Sequence, residues 1–262
     1  MVQGLVTSVV ISGIGLVFVL VGLYTMNSGR LERARSGRLA ATETTKIREL
    51  RPGTVEVKGT AHPTEDTTLI ESPITKQAGV ATYVEMKEWE SSGQGGGNWE
   101  TKHEKQTAIP IVVDDGSGEV RVELPASGDL NVEETETTVE AGEEPPEKIK
   151  RYVEDERAID EATRHEFGPL KTGERRRYVE GVIEPGEEVY VLGTAREDTD
   201  ADWGERSFVI DQPTEFGDFV LSDKSEEELV REGKRSGLVS LVFGGALVVA
   251  GTAATVFPWV GA

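Results

Sequence analysis

Residues 175–195, RRRYVEGVIEPGEEVYVLGTA, decide the character of this chain. Tyr178, Val179, Val182 and Ile183 precede Pro185-Gly186, and Val189 to Leu192 follow it. The stretch therefore reads as strand, Pro-Gly turn and strand, with Gly193 closing the second.

Working outward, the same grammar recurs. Val55 and Val57 alternate with Glu56 and Lys58, the mark of a half-buried strand. TTLIES is a short strand ending at Ser72-Pro73, and residues 79–91 and 98–113 read as two long strands on either side of SGQGGG. No GK[ST] follows that glycine cluster and no helix begins there, so it is a hairpin tip and not a phosphate loop. Residues 114–118, DDGSG, form a tight turn into Val120, Val122 and Leu124, which alternate with charged residues. This turn lacks the further oxygen ligands of a calcium loop. RSFVIDQP and GDFVLSD add two short strands towards the C-terminus. Between about 132 and 167 an acidic linker leads to Pro145-Pro146, which opens a helix with Ile149, Val153, Ile159 and Ala162 on one stripe. The expected fold is mainly β with an inserted helix (α+β), a small, partly open barrel or sandwich.

Both ends of the chain have a different composition. Residues 4–26 and 236–260 carry no formal charge, and each run exceeds the ~20 residues that cross a bilayer's hydrocarbon core. The expected organisation is an outside tail at 1–3, a transmembrane helix at 4–26 and a juxtamembrane helix at 27–51. The last of these has a break allowed at Ser36-Gly37, and Pro52-Gly53 ends it. A β domain follows at 53–222, then a short helix at 223–235 and a second transmembrane helix at 236–260. Arg30, Arg33, Arg35 and Arg38 follow the first span, and Arg231, Lys234 and Arg235 precede the second. The positive-inside rule then places the central domain in the cytoplasm of a multi-pass cell-membrane protein, with both termini outside. A cleaved signal peptide fits less well, because a basic n-region and an A-x-A site are missing. Ser8 and Ser12, and Ala246, Ala250 and Ala254, recur at four-residue spacing and mark faces suited to helix association. Neither span holds an ionisable residue, which argues against a proton relay.

Lys plus Arg number 28 and Asp plus Glu 48, a net charge of −20 that lies wholly between the spans. No basic patch suits it to nucleic acid. The acids are spread along the chain, which fits a surface adapted to high salt better than an acidic tail. With no cysteine, thiolate chemistry, disulfides and cysteine-ligated zinc are excluded for these residues. His62, His103 and His165 form no metal-ligand pair, and no cofactor motif is present. GxSxG, HExxH, P-loop, Rossmann and Cys–His signatures are all missing, so an enzyme would need a site built from carboxylates.

Three stretches taken together resemble a known family. Ser72-Pro73-Ile74 with Tyr83-Val84-Glu85, the VDDGSGEVRVEL hairpin and RRRYVEGVIEPGEEVYVLGTA are similar to the GIDE, or "beside-a-membrane", domain. That is the module of mitochondrial membrane-anchored E3 ubiquitin ligases of the MULAN type, found also in prokaryotes. The resemblance covers about residues 53–222 and implies a membrane-flanked β domain. The family often carries a cysteine where this chain has Val80, Ala81 and Thr82. Its ligase activity resides in a zinc-binding RING that needs Cys and His ligands. The resemblance therefore carries the architecture and not the ligase chemistry. In its motifs Arg177, Tyr178, Glu180, Gly186 and Gly193 stand out. On one reading the glycines fill positive-φ or close-packed positions and Glu180 pairs with a neighbouring arginine. On the other, Ser72, Tyr83 and Glu180 form a small polar recognition spot. The expected function is a non-catalytic interaction module with the lipid bilayer and a protein partner. The alternatives are an E3-type transferase and a regulatory subunit of a transporter. Protease added to right-side-out vesicles should leave the central domain intact and cut it in inverted ones; the reverse pattern would overturn the orientation.

Overall fold

The computed structural model describes residues 2–65, 67–91, 96–159, 164–167, 170–198 and 207–260. Most of the glycine-rich tip (92–95), Ala162 and Arg206 lie outside the described residues, as does the side chain of Ser8. In chain order the elements begin with helix α1 (Val2–Leu39) and strands β1 (Gly53–Pro63), β2 (Ile70–Glu71), β3 (Ala78–Gly79), β4 (Ala81–Ser91) and β5 (Gly97–Ala108). Next come β6 (Ile111–Asp114), β7 (Glu119–Val122), β8 (Asp129–Asn131), β9 (Thr135–Val139) and helix α2 (Glu147–Asp155). The chain continues through β10 (Arg164–Phe167), β11 (Leu170–Gly173), β12 (Arg176–Ile183), β13 (Glu188–Glu197), β14 (Phe208–Gln212), β15 (Val220–Ser222) and helix α3 (Glu226–Val260). Two compact units result: Met1–Thr42 with Glu226–Ala262, and Glu43–Ser225.

The first unit is an antiparallel pair of helices, each long and apolar enough to cross a membrane. α1 runs without a break through Ser36-Gly37, where Ser36 Oγ donates to the Glu32 carbonyl (2.9 Å). A single helical glycine costs only about 1 kcal/mol, which flanking helix formers offset. The separate juxtamembrane helix expected at 27–51 is thus replaced by the end of α1, an irregular link and a 3-10 turn at Ile47–Glu49. The short helix expected at 223–235 is the first part of α3.

What joins the two helices is glycine at seven-residue spacing. Gly15, Gly22 and Gly29 of α1 face Gly251, Gly244 and Gly237 of α3. A Cβ on Gly22 would stand 2.6 Å from the Gly244 carbonyl oxygen, and one on Gly29 would stand 2.6 Å from that of Gly237. Only glycine lets the backbones touch in this way, and a period of seven keeps the seam on one face of both helices. Ser12 Oγ adds a hydrogen bond to the Thr255 carbonyl (3.2 Å). Ala246 and Ala250, expected on the associating face, are exposed. The glycine face is the buried one because an alanine methyl would hold the backbones apart.

The second unit is built on a closed five-stranded barrel, with strands in the order β1-β6-β7-β14-β13 and β13 returning to β1. All its pairings are antiparallel except β7 with β14. This is the strand order of five-stranded Greek-key barrels of the OB type. The expected partial opening is absent, because β1 and β13 pair over eight residues, from Gly53↔Ala195 to Thr60↔Glu188. Inside lie Val55, Val57, Ala61, Ile111, Val113, Val120, Val122, Val189, Val191 and Ile210, all buried. Alternation points these small side chains, all but Ala61 β-branched, into a narrow interior. β15 extends the sheet from β13 and pairs in parallel with β8.

A second sheet, β5-β4-β12-β9, is drawn from the segments inserted between β1 and β6 and between β7 and β13. The strand expected over 98–113 divides into β5 and β6 around Ile109-Pro110, where proline has no N–H for a ladder. α2 covers one face of this sheet and is shorter than expected; only Ile149 and Tyr152 of it are buried. A Cys pair at positions 12 and 255 would be the chain's only thiols, so crosslinking reports the helix seam directly. Gly22→Leu should abolish that crosslink, and an undiminished yield would show that the seam does not depend on glycine.

Candidate functional site

β12 is the strand on which the motif residues converge. Its register places Tyr178 opposite Met86, Glu180 opposite Val84 and Arg176 opposite Glu88 on β4. Those side chains share one face, which Ile74, Val139, Ile149, Tyr152 and Ile159 seal into an apolar cluster. Arg177 and Val179 point to the other face with Lys87, Glu85 and Tyr83, where Val179 and Glu85 are buried.

On the sealed face Glu180 is buried, and its carboxylate accepts the backbone N–H of Ile74 (2.7 Å) and of Thr75 (3.2 Å). Its partners are amides and not the arginine expected. The loop it grips is closed further by Ser72, fully buried, whose Oγ lies 2.7 Å from Thr75 Oγ1. The Ser72 N–H donates to Gln77 O, and the Lys76 N–H donates to Ser72 O. Lys76 adopts φ 61°, a left-handed conformation that L-residues seldom take outside tight turns. Tyr178 is buried in the apolar cluster, and Arg176 is held by Glu88 (3.2 Å) and Glu174 (2.7 Å).

On the opposite face, at its end near the hairpin tip, the Arg177 guanidinium stacks 4.3 Å from the Trp99 ring, with Nε 3.0 Å from Glu136. Arg175 lies 5.2 Å from Trp99 and 5.8 Å from Trp89, and the two indoles meet edge to face at 5.4 Å. Such stacked cations are worth roughly 0.5–1 kcal/mol each at exposed positions. Tyr83 is half-buried; burial, then the charges of Glu85, Glu104 and Glu134, push its phenol well above the usual tyrosine range. It stays a neutral hydroxyl at any physiological pH.

The five expected site residues therefore divide. Ser72, Tyr178 and Glu180 belong to the helix-covered face, where Ser72 and Glu180 meet in one hydrogen-bonded loop. Tyr83 and Arg177 belong to the opposite face, so Tyr83 does not share a spot with Glu180. Gly186 takes φ +91° in the β12–β13 turn, with its N–H on Ala61 O (2.7 Å). A Cβ on Gly193 would meet Ile210 at 2.8 Å and Phe219 at 2.9 Å. Sequence reasoning missed the Trp89–Trp99 pair, although both stand equally far from the hairpin tip and so fall opposite each other. It also missed Glu56, fully buried in the barrel wall, which accepts hydrogen bonds from Thr44 Oγ1 (2.6 Å) and Tyr190 OH (3.0 Å). Among the described residues no group of three or more His, Cys, Asp or Glu side chains is placed to hold a metal ion.

The chain belongs to the GIDE family, described as E3 ubiquitin ligase, whose model matches residues 81–256. That range runs from β4 into α3 and includes the whole of β12. Searches of the curated proteins and of the solved structures find no match.

Glu180→Ala leaves the buried Ile74 amide and the part-buried Thr75 amide without their acceptor and should lower the unfolding free energy by about 1–3 kcal/mol. Glu180→Gln keeps a carbonyl and should lose less. Denaturant unfolding of the full chain in detergent, followed by tryptophan fluorescence, measures both; equal stability of Glu180→Ala and wild type would refute the clamp.

Proposed function

We propose that this chain is a membrane-anchored interaction module without catalytic chemistry of its own, whose β domain holds a protein partner beside a membrane. One observation carries the reading: the polar side chains of the family motif are engaged in the fold itself. Glu180 holds backbone amides, Arg176 two carboxylates and Arg177 an indole, while Tyr178 is packed in a core. A reaction site needs such groups aimed at a substrate.

The two apolar helices support membrane anchoring, and the basic residues beside them support a cytoplasmic domain with both termini outside. The net charge of −20 supports a surface kept soluble at high salt. The family description favours a second reading, an E3-type transferase. Its RING chemistry would need zinc-binding cysteines that these 262 residues do not supply. The exposed Ala246 and Ala250 on α3 favour a third, the regulation of a co-inserted transporter through a helix contact.

Crosslinking in native membranes at high salt, affinity purification and mass spectrometry separate these readings. A recurrent partner should be lost on deletion of residues 53–222 and retained by Ala250→Leu. Loss with Ala250→Leu alone would move the function into the membrane, and a preparation without partners would overturn the module reading.

A further inference from the structure

The two edges of the second sheet are built differently. β5 is a guarded edge. Its pairing with β4 is interrupted by a register shift at Met86/Lys87, and Lys102 and Lys105 project from it to Glu90 and Glu156. Gln106 is tied to Gly128 O (2.7 Å) and Leu130 N (3.2 Å). Bulges and lysines are the devices by which native sheets discourage the addition of another strand.

β9 has none of them. It pairs with β12 in unbroken register from Thr135↔Glu180 to Val139↔Arg176. Its sequence, TETTV, is rich in β-branched residues and has no lysine, arginine or proline. Among the described residues, β12 is the only strand that pairs with it. Residues 133–144, EETETTVEAGEE, contain six glutamates and no cation. Thr135, Glu136 and Glu140 are exposed. Arg177 and Arg175 approach Glu136 and Glu140 from the neighbouring strand side, at 3.0 and 2.9 Å.

We propose that β9 is a strand-addition edge that takes an extended, Lys- or Arg-bearing segment of a partner protein. Main-chain hydrogen bonds along Thr135–Val139 supply the affinity; three of the six glutamates already meet Arg177, Arg175 and Lys150, and the acidic surplus that remains selects a basic strand. The proposal rests on the interaction-module reading and names the chemistry of its partner.

The probe is the capped peptide Lys-Val-Lys-Val-Lys-Val, added to the full chain in detergent at about 1 M salt, where a screening length of ~3 Å still leaves contact ion pairs. Its comparator is the same peptide N-methylated at alternate residues, which keeps the charge and removes backbone donors. Hydrogen exchange should slow about tenfold over residues 135–139 with the first peptide and not with the second. Glu136→Lys with Glu140→Lys should weaken binding at least about tenfold. Equal binding of the two peptides, protection confined to β5, or wild-type affinity in the charge-reversed variant would each overturn the proposal. In membranes, a partner still captured by the charge-reversed chain sinks the edge and spares the module; no partner on the wild-type chain sinks the module.

Discussion

The pairing of β13 with β1 is the contact on which the β domain depends. Without those eight residue pairs the barrel is an open ribbon, with Val57, Val189 and Val191 exposed along its rim. β13 also pairs with β14 and β15, so each of these loses a neighbour if it does not dock. It follows β12 after one tight turn, and β12 is an interior strand of the second sheet. One continuous segment therefore builds both sheets. The turn is fastened to the barrel by the Gly186 N–H on Ala61 O, which fixes the point where the chain passes from one sheet to the other. Gly193 lets Ile210 and Phe219 close over β13 where any side chain would prop them away.

Much of this was legible in the residues. Alternation at Val55 and Val57, the DDGSG turn and the two halves of residues 175–195 marked strands that the structure contains, and the uncharged ends marked two long helices. Period-two patterning tells which side chains share a face of one strand, but not which strand lies alongside. The parallel β7–β14 pair and the closure onto β1 arise from long-range packing and carry no local signal. The same limit hid the partner of Glu180, since the amides it accepts lie more than a hundred residues away. The helix seam escaped for another reason. Four-residue spacing marks the alanines, whereas an antiparallel seam between two twisting helices follows sevens, which match in register only between segments running head to tail.

Placing the motif residues on two faces of one strand changes what they can be asked to do. On the covered face a carboxylate organises a loop that would otherwise carry unsatisfied amides, and a tyrosine completes the cluster beneath α2. On the opposite face arginines stiffen a pair of indoles at the end of a long hairpin. Both are devices for holding a surface in one shape.

The glycine seam has a further effect on the chain it brackets. By holding the end of α1 beside the start of α3, as Ser36 packed at Gly233 shows, it ties together both ends of the segment Glu43–Ser225. An unfolded segment pinned at both ends has fewer conformations to explore than a free one. For a covalent crosslink closing a loop of roughly 180 residues, the chain-entropy estimate is about 5 kcal/mol. While the helices stay paired, a protein without a single cysteine thus obtains the effect of a disulfide from six glycines.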